Sequence, residues 1–173
     1  MKKKCIFFDR DGIVNVSPGP GYVERWEDFH LMPEFISAAQ AAIMHGYAVA
    51  IVTNQRGVAR GIMTQETLTE MHEKLIAILA THDISLLGIY CCMHERDACD
   101  CRKPKPGMLL QAAAEHDIDL SASWMVGDSE TDIEAGQRAG CRTIMVGGKE
   151  AETKADFKFA DMRELAGKLA GIC

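Results

Sequence analysis

Lys4-Cys5-Ile6-Phe7-Phe8-Asp9-Arg10-Asp11-Gly12 is the stretch that decides how the chain is read. The apolar run Cys5 to Phe8 reads as a buried strand that stops abruptly at two carboxylates and a glycine. Side chains alternate along an extended chain, so Asp9 and Asp11, two positions apart, can face one site just past the strand end. In an open α/β sheet that edge is where ligands bind. Two acids held this close repel each other unless a cation or a shared proton intervenes. Mg²⁺ suits the position, because it takes oxygen ligands from one or two carboxylates together with substrate phosphate. Taken alone, the nonapeptide is equally compatible with an Asp-Gly turn closing an ordinary strand. A calcium loop fits poorly, since it needs glycine in sixth place and glutamate in twelfth, and here glycine comes fourth.

With 173 residues the chain suffices for one sizeable core and is short for two. Its 47% hydrophobic and 25% charged residues match an ordinary globular domain. A net charge of −6 argues against a nucleic-acid backbone or an anionic membrane as the main partner. No apolar run approaches the ~20 residues of a membrane span. Met1-Lys2-Lys3-Lys4 leads into a strand too short for a signal peptide's apolar segment. The expectation is a cytoplasmic monomer acting on a small molecule. In that compartment the seven cysteines point to metal ligands, buried packing residues or a catalytic thiol rather than a disulfide framework.

Past Asp11 the stretch Gly12 to His30 is irregular and carries Pro18-Gly19-Pro20-Gly21. A long loop leaving directly from two carboxylates reads as a substrate flap. Apolar residues at helical spacing predict a helix over Glu34 to His45, stopped by Gly46. Tyr47 to Val52 reads as a second strand ending in Thr53-Asn54-Gln55. Thr64 is a candidate N-cap for a helix with Leu68, Met71, Leu75, Ile78 and Leu79 along one face. Leu86 to Cys92 reads as a third strand, and Met108 to His116 as a helix opened by Pro106. Trp124 to Val126 reads as a fourth strand, closing on Gly127-Asp128. A helix over Ser129 to Ala139, a fifth strand over Arg142 to Val146 and a last helix over Asp161 to Leu169 complete the chain. Strands alternating with helices imply right-handed crossovers and a parallel sheet with helices on both faces. The expected fold is therefore a single Rossmann-like α/β domain, a three-layer sandwich spanning residues 1–173.

Three strand ends carry reactive groups: Asp9 and Asp11, then Thr53 and Asn54, then Asp128. Parallel connectivity puts them on one edge of the sheet. If strand order reverses between the first and fourth strands, Asp128 lies beside Asp9. Arg102 and Lys103 add fixed positive charge, and phosphoryl transfer uses this mixture of metal-binding carboxylates, hydrogen-bond donors and cations. Each residue has a plainer alternative: a turn at Thr53-Asn54, a solvated pair at Arg102-Lys103, a capping box at Ser129-x-x-Asp132. For Asp132 the capping box, or a role behind the metal ligands, is the favoured reading.

DRDG, TNQ, RKPKPG and GDSETD, in that order, resemble the four motifs of the haloacid dehalogenase-like (HAD) phosphatases over nearly the whole chain. Cys92 to Met108 together with TNQRGVARG (Thr53 to Gly61) resembles the subgroup of D-glycero-D-manno-heptose-1,7-bisphosphate 7-phosphatases, with histidinol-phosphate phosphatases as close relatives. The resemblance implies no separate cap domain. It implies Asp9 as nucleophile and Asp11 as the acid that protonates the leaving alkoxide. Asp9, the Asp11 backbone carbonyl and Asp128 would hold Mg²⁺, and Thr53, the following amides and Lys103 would cradle the phosphoryl group. Gly21, Tyr22, Asn54, Gln55, Arg56, Arg102 and Ser129 are the expected substrate contacts, and Arg102 is the candidate for the sugar or its second phosphate. Residue 13 is Ile where the family usually has Thr, and the flap before Gly21-Tyr22 is about two residues longer than usual. A non-catalytic, zinc-stabilised binding module is the alternative of another class.

Cys92, His94, Cys99 and Cys101 offer three thiolates and an imidazole within ten positions, in a loop at about 91–103. Structural Zn²⁺ takes four such ligands. The alternative is that Cys92 is strand core and His94 a surface residue. The heptose-bisphosphate phosphatases carry a similar Cys-x-His…Cys-x-Cys loop, with a longer gap than that between His94 and Cys99. Cys91 competes as a ligand but should point to the opposite face from Cys92. Zinc here would be structural, holding the loop that presents Arg102 and Lys103. Cys5, Cys141 and Cys173 read as core or tail residues.

Overall fold

The computed structural model describes residues 2–147 and 152–172. Six parallel strands form one sheet in the order β3-β2-β1-β4-β5-β6: β1 Cys5–Phe8, β2 Ala48–Asn54, β3 Leu86–Cys92, β4 Trp124–Gly127, β5 Arg142–Val146 and β6 Phe157–Phe159. The helices are α1 Pro33–Met44, α2 Gln65–Ala80, α3 Gly107–His116, α4 Glu130–Ala139 and α5 Met162–Ile172. Strand order reverses between β1 and β4, as the expected Rossmann-like sandwich requires.

All four residues of β1 are buried because both faces of the sheet are covered. Its alternating side chains feed two separate cores. Ile6 and Phe8 pack with Phe35 of α1, Leu75 of α2 and Leu165 of α5. Cys5 and Phe7 face the other way, toward Met108 and Leu109 of α3 and Ala135 of α4. Phe8 meets Phe35 edge-on at 5.2 Å between ring centroids, the geometry favoured by the ring quadrupole.

The structure departs from the sequence reading in three places. Strand β2 runs on through Thr53 and Asn54, because pairing with β3 continues at Thr53↔Cys91 and Asn54↔Cys92. A sixth strand, Phe157–Phe159, extends the sheet beyond β5. With three residues it is too short to show a period. The stretch after Gly12, expected as an irregular flap, is anchored in the core along part of its length. Ile13, Val14, Val23 and Phe29 are buried, and Trp26–Asp28 forms a single 3-10 turn. Ile13, the departure from the family pattern, is therefore a core residue. Cys5 and Cys141 are buried as expected, and Cys173 lies outside the described residues.

Candidate active site

The reversal of strand order brings the ends of β1 and β4 together, and the charged cluster forms there. Lys103 is almost wholly buried, and its Nζ lies 2.6 Å from both Asp9 Oδ1 and Asp132 Oδ1. It also donates to the Val52 carbonyl at 2.9 Å. Burial alone would push the ammonium's pKa down. The Asp132 and Asp9 charges outweigh burial and hold it above the usual lysine value. Carboxylate oxygens of Asp9, Asp128 and Asp132 lie within 4.8 Å of one another. Burial, and then the charge of Asp132, push Asp9 up to about 8 despite the pull of Lys103. The same two causes raise Asp128 to about 6. Three carboxylates around one lysine leave an excess of negative charge that a cation would offset.

Asp132 takes the role the sequence favoured. Its Oδ2 accepts from the Ser129 backbone N–H at 3.2 Å and the Ser129 hydroxyl at 2.7 Å, closing a capping box on α4. With Oδ1 on Lys103, both oxygens of Asp132 are occupied by donors. Asp9 and Asp128 remain as the carboxylates open to a metal.

Asp9, Asp11, Thr53, Asn54, Lys103, Ser129, Thr131 and Asp132 line a cavity of about 180 Å³. A larger one, about 520 Å³, shares Asn54, Lys103 and Thr131 with it and adds Arg96, Arg102, Lys105 and Arg138. Gly21, Tyr22, Gln55 and Arg56 line neither. Gln55 is fully buried and donates to Asp11 Oδ2 at 3.0 Å and to Thr53 Oγ1 at 2.8 Å. Arg56 ties three loops together: it meets the Tyr22 side chain of the flap and pairs with Glu95 at 3.0 Å.

In the cysteine loop, Cys92 Sγ lies 3.5 Å from Cys99 Sγ, and Cys99 lies 3.3 Å from Cys101. His94 Nδ1 is 3.2 Å from Cys101 Sγ and 3.7 Å from Cys92 Sγ. All four ligand atoms fall within 4.8 Å of one another. Cys91 points away from them, 3.6 Å from His72 Nδ1, which is the alternation expected along β3. Sequence reasoning gave no role to Arg10 or His72, yet both stand directly behind Asp11.

Residues 100–164 match the family model described as HAD-hydrolase-like. The chain belongs to the HAD family of phosphatases, enzymes that hydrolyse phosphate esters. Among curated proteins it is similar to the D-glycero-beta-D-manno-heptose-1,7-bisphosphate 7-phosphatase of Photorhabdus laumondii. The two are 40% identical over 182 aligned positions, covering 97% of this chain and 96% of that protein. The Escherichia coli protein of the same name is 39% identical over 175 positions, 93% and 91% of the two chains. Among solved structures, D,D-heptose 1.7-bisphosphate phosphatase from B. bronchiseptica, complexed with magnesium and phosphate, gives a TM-score of 0.87 at 31% identity. That match covers 98% of this chain and 99% of that one. Among the described residues, no helix is long and apolar enough to cross a membrane.

Proposed function

We propose that the chain is a Mg²⁺-dependent phosphatase that removes the 7-phosphate of D-glycero-D-manno-heptose 1,7-bisphosphate through an aspartyl-phosphate. The single observation that carries this reading is Lys103 bridging Asp9 and Asp132 at 2.6 Å each, with Asp128 in the same cluster. The names of the relatives supply the substrate.

The donor set fits magnesium. Asp9 and Asp128 offer hard oxygens, and burial, followed by the charge of Asp132, raises the pKa of both, an anionic cost that a bound cation would offset. Asp9, Asp128 and the Asp11 carbonyl would hold the ion, which when bound neutralises charge developing on the phosphoryl oxygens. An Asp9 oxygen attacks phosphorus as the ester P–O bond breaks, and Asp11 passes its proton to the departing alkoxide oxygen. A water oxygen then bonds to phosphorus, losing its proton to Asp11, while the Asp9–phosphorus bond breaks and phosphate leaves. Thr53, Asn54, Ser129 and Lys103 border the cavity where the phosphoryl group would sit. Gln55 acts from beneath, by holding Asp11 and Thr53. Gly21, Tyr22 and Arg56 would close the outer wall.

A second phosphate would enter the larger cavity. Arg102 and Lys105 line it, and Nη1 of Arg102 is buried without a partner. That basic space favours a bisphosphate over histidinol phosphate, which carries only one.

The cysteine loop fits zinc. Tetrahedral Zn²⁺ with bonds of ~2.0–2.3 Å sets ligand separations of about 3.5–3.8 Å, close to those among the four ligand atoms. With four protein ligands the ion would have no open position, so its task would be to brace the loop carrying Arg102 and Lys103.

Purified protein supplied with Mg²⁺ should release phosphate from the heptose bisphosphate with a far higher kcat/KM than from histidinol phosphate. The opposite ranking overturns the substrate assignment. An Asp9→Asn protein that kept full activity would remove the nucleophile.

A further inference from the structure

Arg10 stands between the two aspartates of the motif, and its side chain is fully buried. A guanidinium cannot lose its charge and only donates, so each of its N–H groups needs an acceptor there. Nε reaches Asp11 Oδ1 at 3.1 Å, and Nη2 reaches Oδ1 at 3.0 Å and Oδ2 at 3.2 Å. Nη1 turns away from Asp11 toward α2. It meets His72 Nε2 at 3.1 Å and Met71 Sδ at 3.6 Å.

Because arginine cannot accept, His72 Nε2 must be the bare nitrogen of a neutral ring. The ring proton is then on Nδ1, aimed at Cys91 Sγ 3.6 Å away. Burial, reinforced by the Arg10 charge, keeps the ring neutral, with its pKa lowered to about 3. On its other side Asp11 accepts from Asn15 Nδ2 at 2.9 Å and Gln55 Nε2 at 3.0 Å. The carboxylate is thus held between a fork whose rotation depends on His72 and two amides on the opposite flank.

We infer that His72 is a positioning residue for Asp11: by accepting from Arg10 Nη1 it fixes the guanidinium fork that aims the Asp11 carboxylate. The inference rests on the proposed role of Asp11 in moving protons to the leaving group and from water. Without an acceptor at position 72, one N–H of Nη1 would be buried and unpaired, the other reaching only the weak acceptor Met71 Sδ. Arg10 would turn to satisfy it, and Asp11 would move with the fork. Misplacing a catalytic group by about 1 Å costs on the order of 10²-fold in rate.

Two substitutions separate this role from simple packing. His72→Gln keeps an acceptor near the place of Nε2, whereas His72→Leu keeps bulk and loses the acceptor. If the leucine variant does not fold, His72→Asn, whose shorter amide stops short of Nη1, takes its place with the same expectation. With the sugar bisphosphate, the leucine variant should lose about 10- to 100-fold in kcat at nearly unchanged KM. The glutamine variant should recover most of that loss. With p-nitrophenyl phosphate, whose leaving group needs no proton, the leucine variant should release the first equivalent of nitrophenolate at close to the wild-type rate. Later turnovers should be slow, since hydrolysis of the aspartyl-phosphate still needs Asp11 as base. Equal losses in the glutamine and leucine variants, or a first turnover slowed as much as the later ones, overturn the positioning role. Wild-type protein that is active beside an equally active leucine variant overturns this inference alone. Wild-type protein that hydrolyses neither ester overturns the proposed function, and the inference with it.

Discussion

Asn54 and Lys103 hold each other by two reciprocal hydrogen bonds. Asn54 Nδ2 donates to the Lys103 carbonyl at 3.1 Å, and the Lys103 backbone N–H donates to Asn54 Oδ1 at 3.1 Å. The end of β2 thereby clamps the loop that follows the cysteine cluster. With its backbone held there, Lys103 sends its side chain between Asp9 and Asp132. Asn54→Ala removes both partners and leaves a part-buried N–H and C=O unpaired, at a cost of about 1–3 kcal/mol. The alanine variant should unfold at lower urea and lose about 10- to 100-fold in kcat. Asn54→Asp, which keeps the acceptor, should fall between alanine and wild type in both measurements.

Gly12 has φ +91 and sits where a Cβ would run into the Asp128 carboxylate. Gly12→Ala therefore combines left-handed strain of roughly 1–2 kcal/mol with displacement of a metal-binding acid. We expect half-maximal activity to require about tenfold more Mg²⁺ than in wild type, or more, since a displaced ligand weakens the ion's hold on the order of 10- to 100-fold. A magnesium titration of phosphate release tests it, and unchanged magnesium dependence would contradict the placement of Asp128.

Metal content should track the cysteine loop. Elemental analysis should find about one zinc per chain, and Cys99→Ser or Cys101→Ser should lower that figure. Binding to four preorganised ligands is coupled to folding of the loop. Loss of the ion should therefore lower the melting temperature and the activity together, because Lys103 lies two residues past Cys101. Activity that survives complete removal of the metal would separate the loop from catalysis.

His72 sets a pH dependence of stability. In the unfolded chain it titrates at ~6.5, whereas in the folded protein burial and Arg10 lower its pKa to about 3. Below ~6.5 the unfolded state binds the extra proton, so this group makes stability fall as pH falls and contributes nothing above that point. The slope approaches ~1.4 kcal/mol per pH unit, so by pH 5 the loss is about 2 kcal/mol. Urea melts of wild type and His72→Gln at pH 7, 6 and 5, at constant metal content, isolate the effect. The variant should show the shallower decline.

Much of this protein was legible in its sequence. Alternating apolar segments and glycine or proline breaks marked five strands and five helices. Asp9, Asp11 and Asp128 were marked as candidates because strand ends in a parallel sheet share one edge, and Lys103 by the RKPKPG motif. Thr53 and Asn54 were legible as candidate site residues but not as strand, since their extended geometry depends on pairing with β3. The three residues of β6 carried too little pattern.

What residue order determined by itself was the chemistry available at the sheet's edge, because local periodicity and turn residues dictate where each strand must end. What only the tertiary structure decided was how those groups are held. Arg10 forks onto its neighbour Asp11 and finds a further acceptor on α2 in His72, to which the sequence pattern assigns no role. Contacts between residues so far apart leave no local trace, because they arise only when the helix packs against the sheet and every buried donor must find a partner.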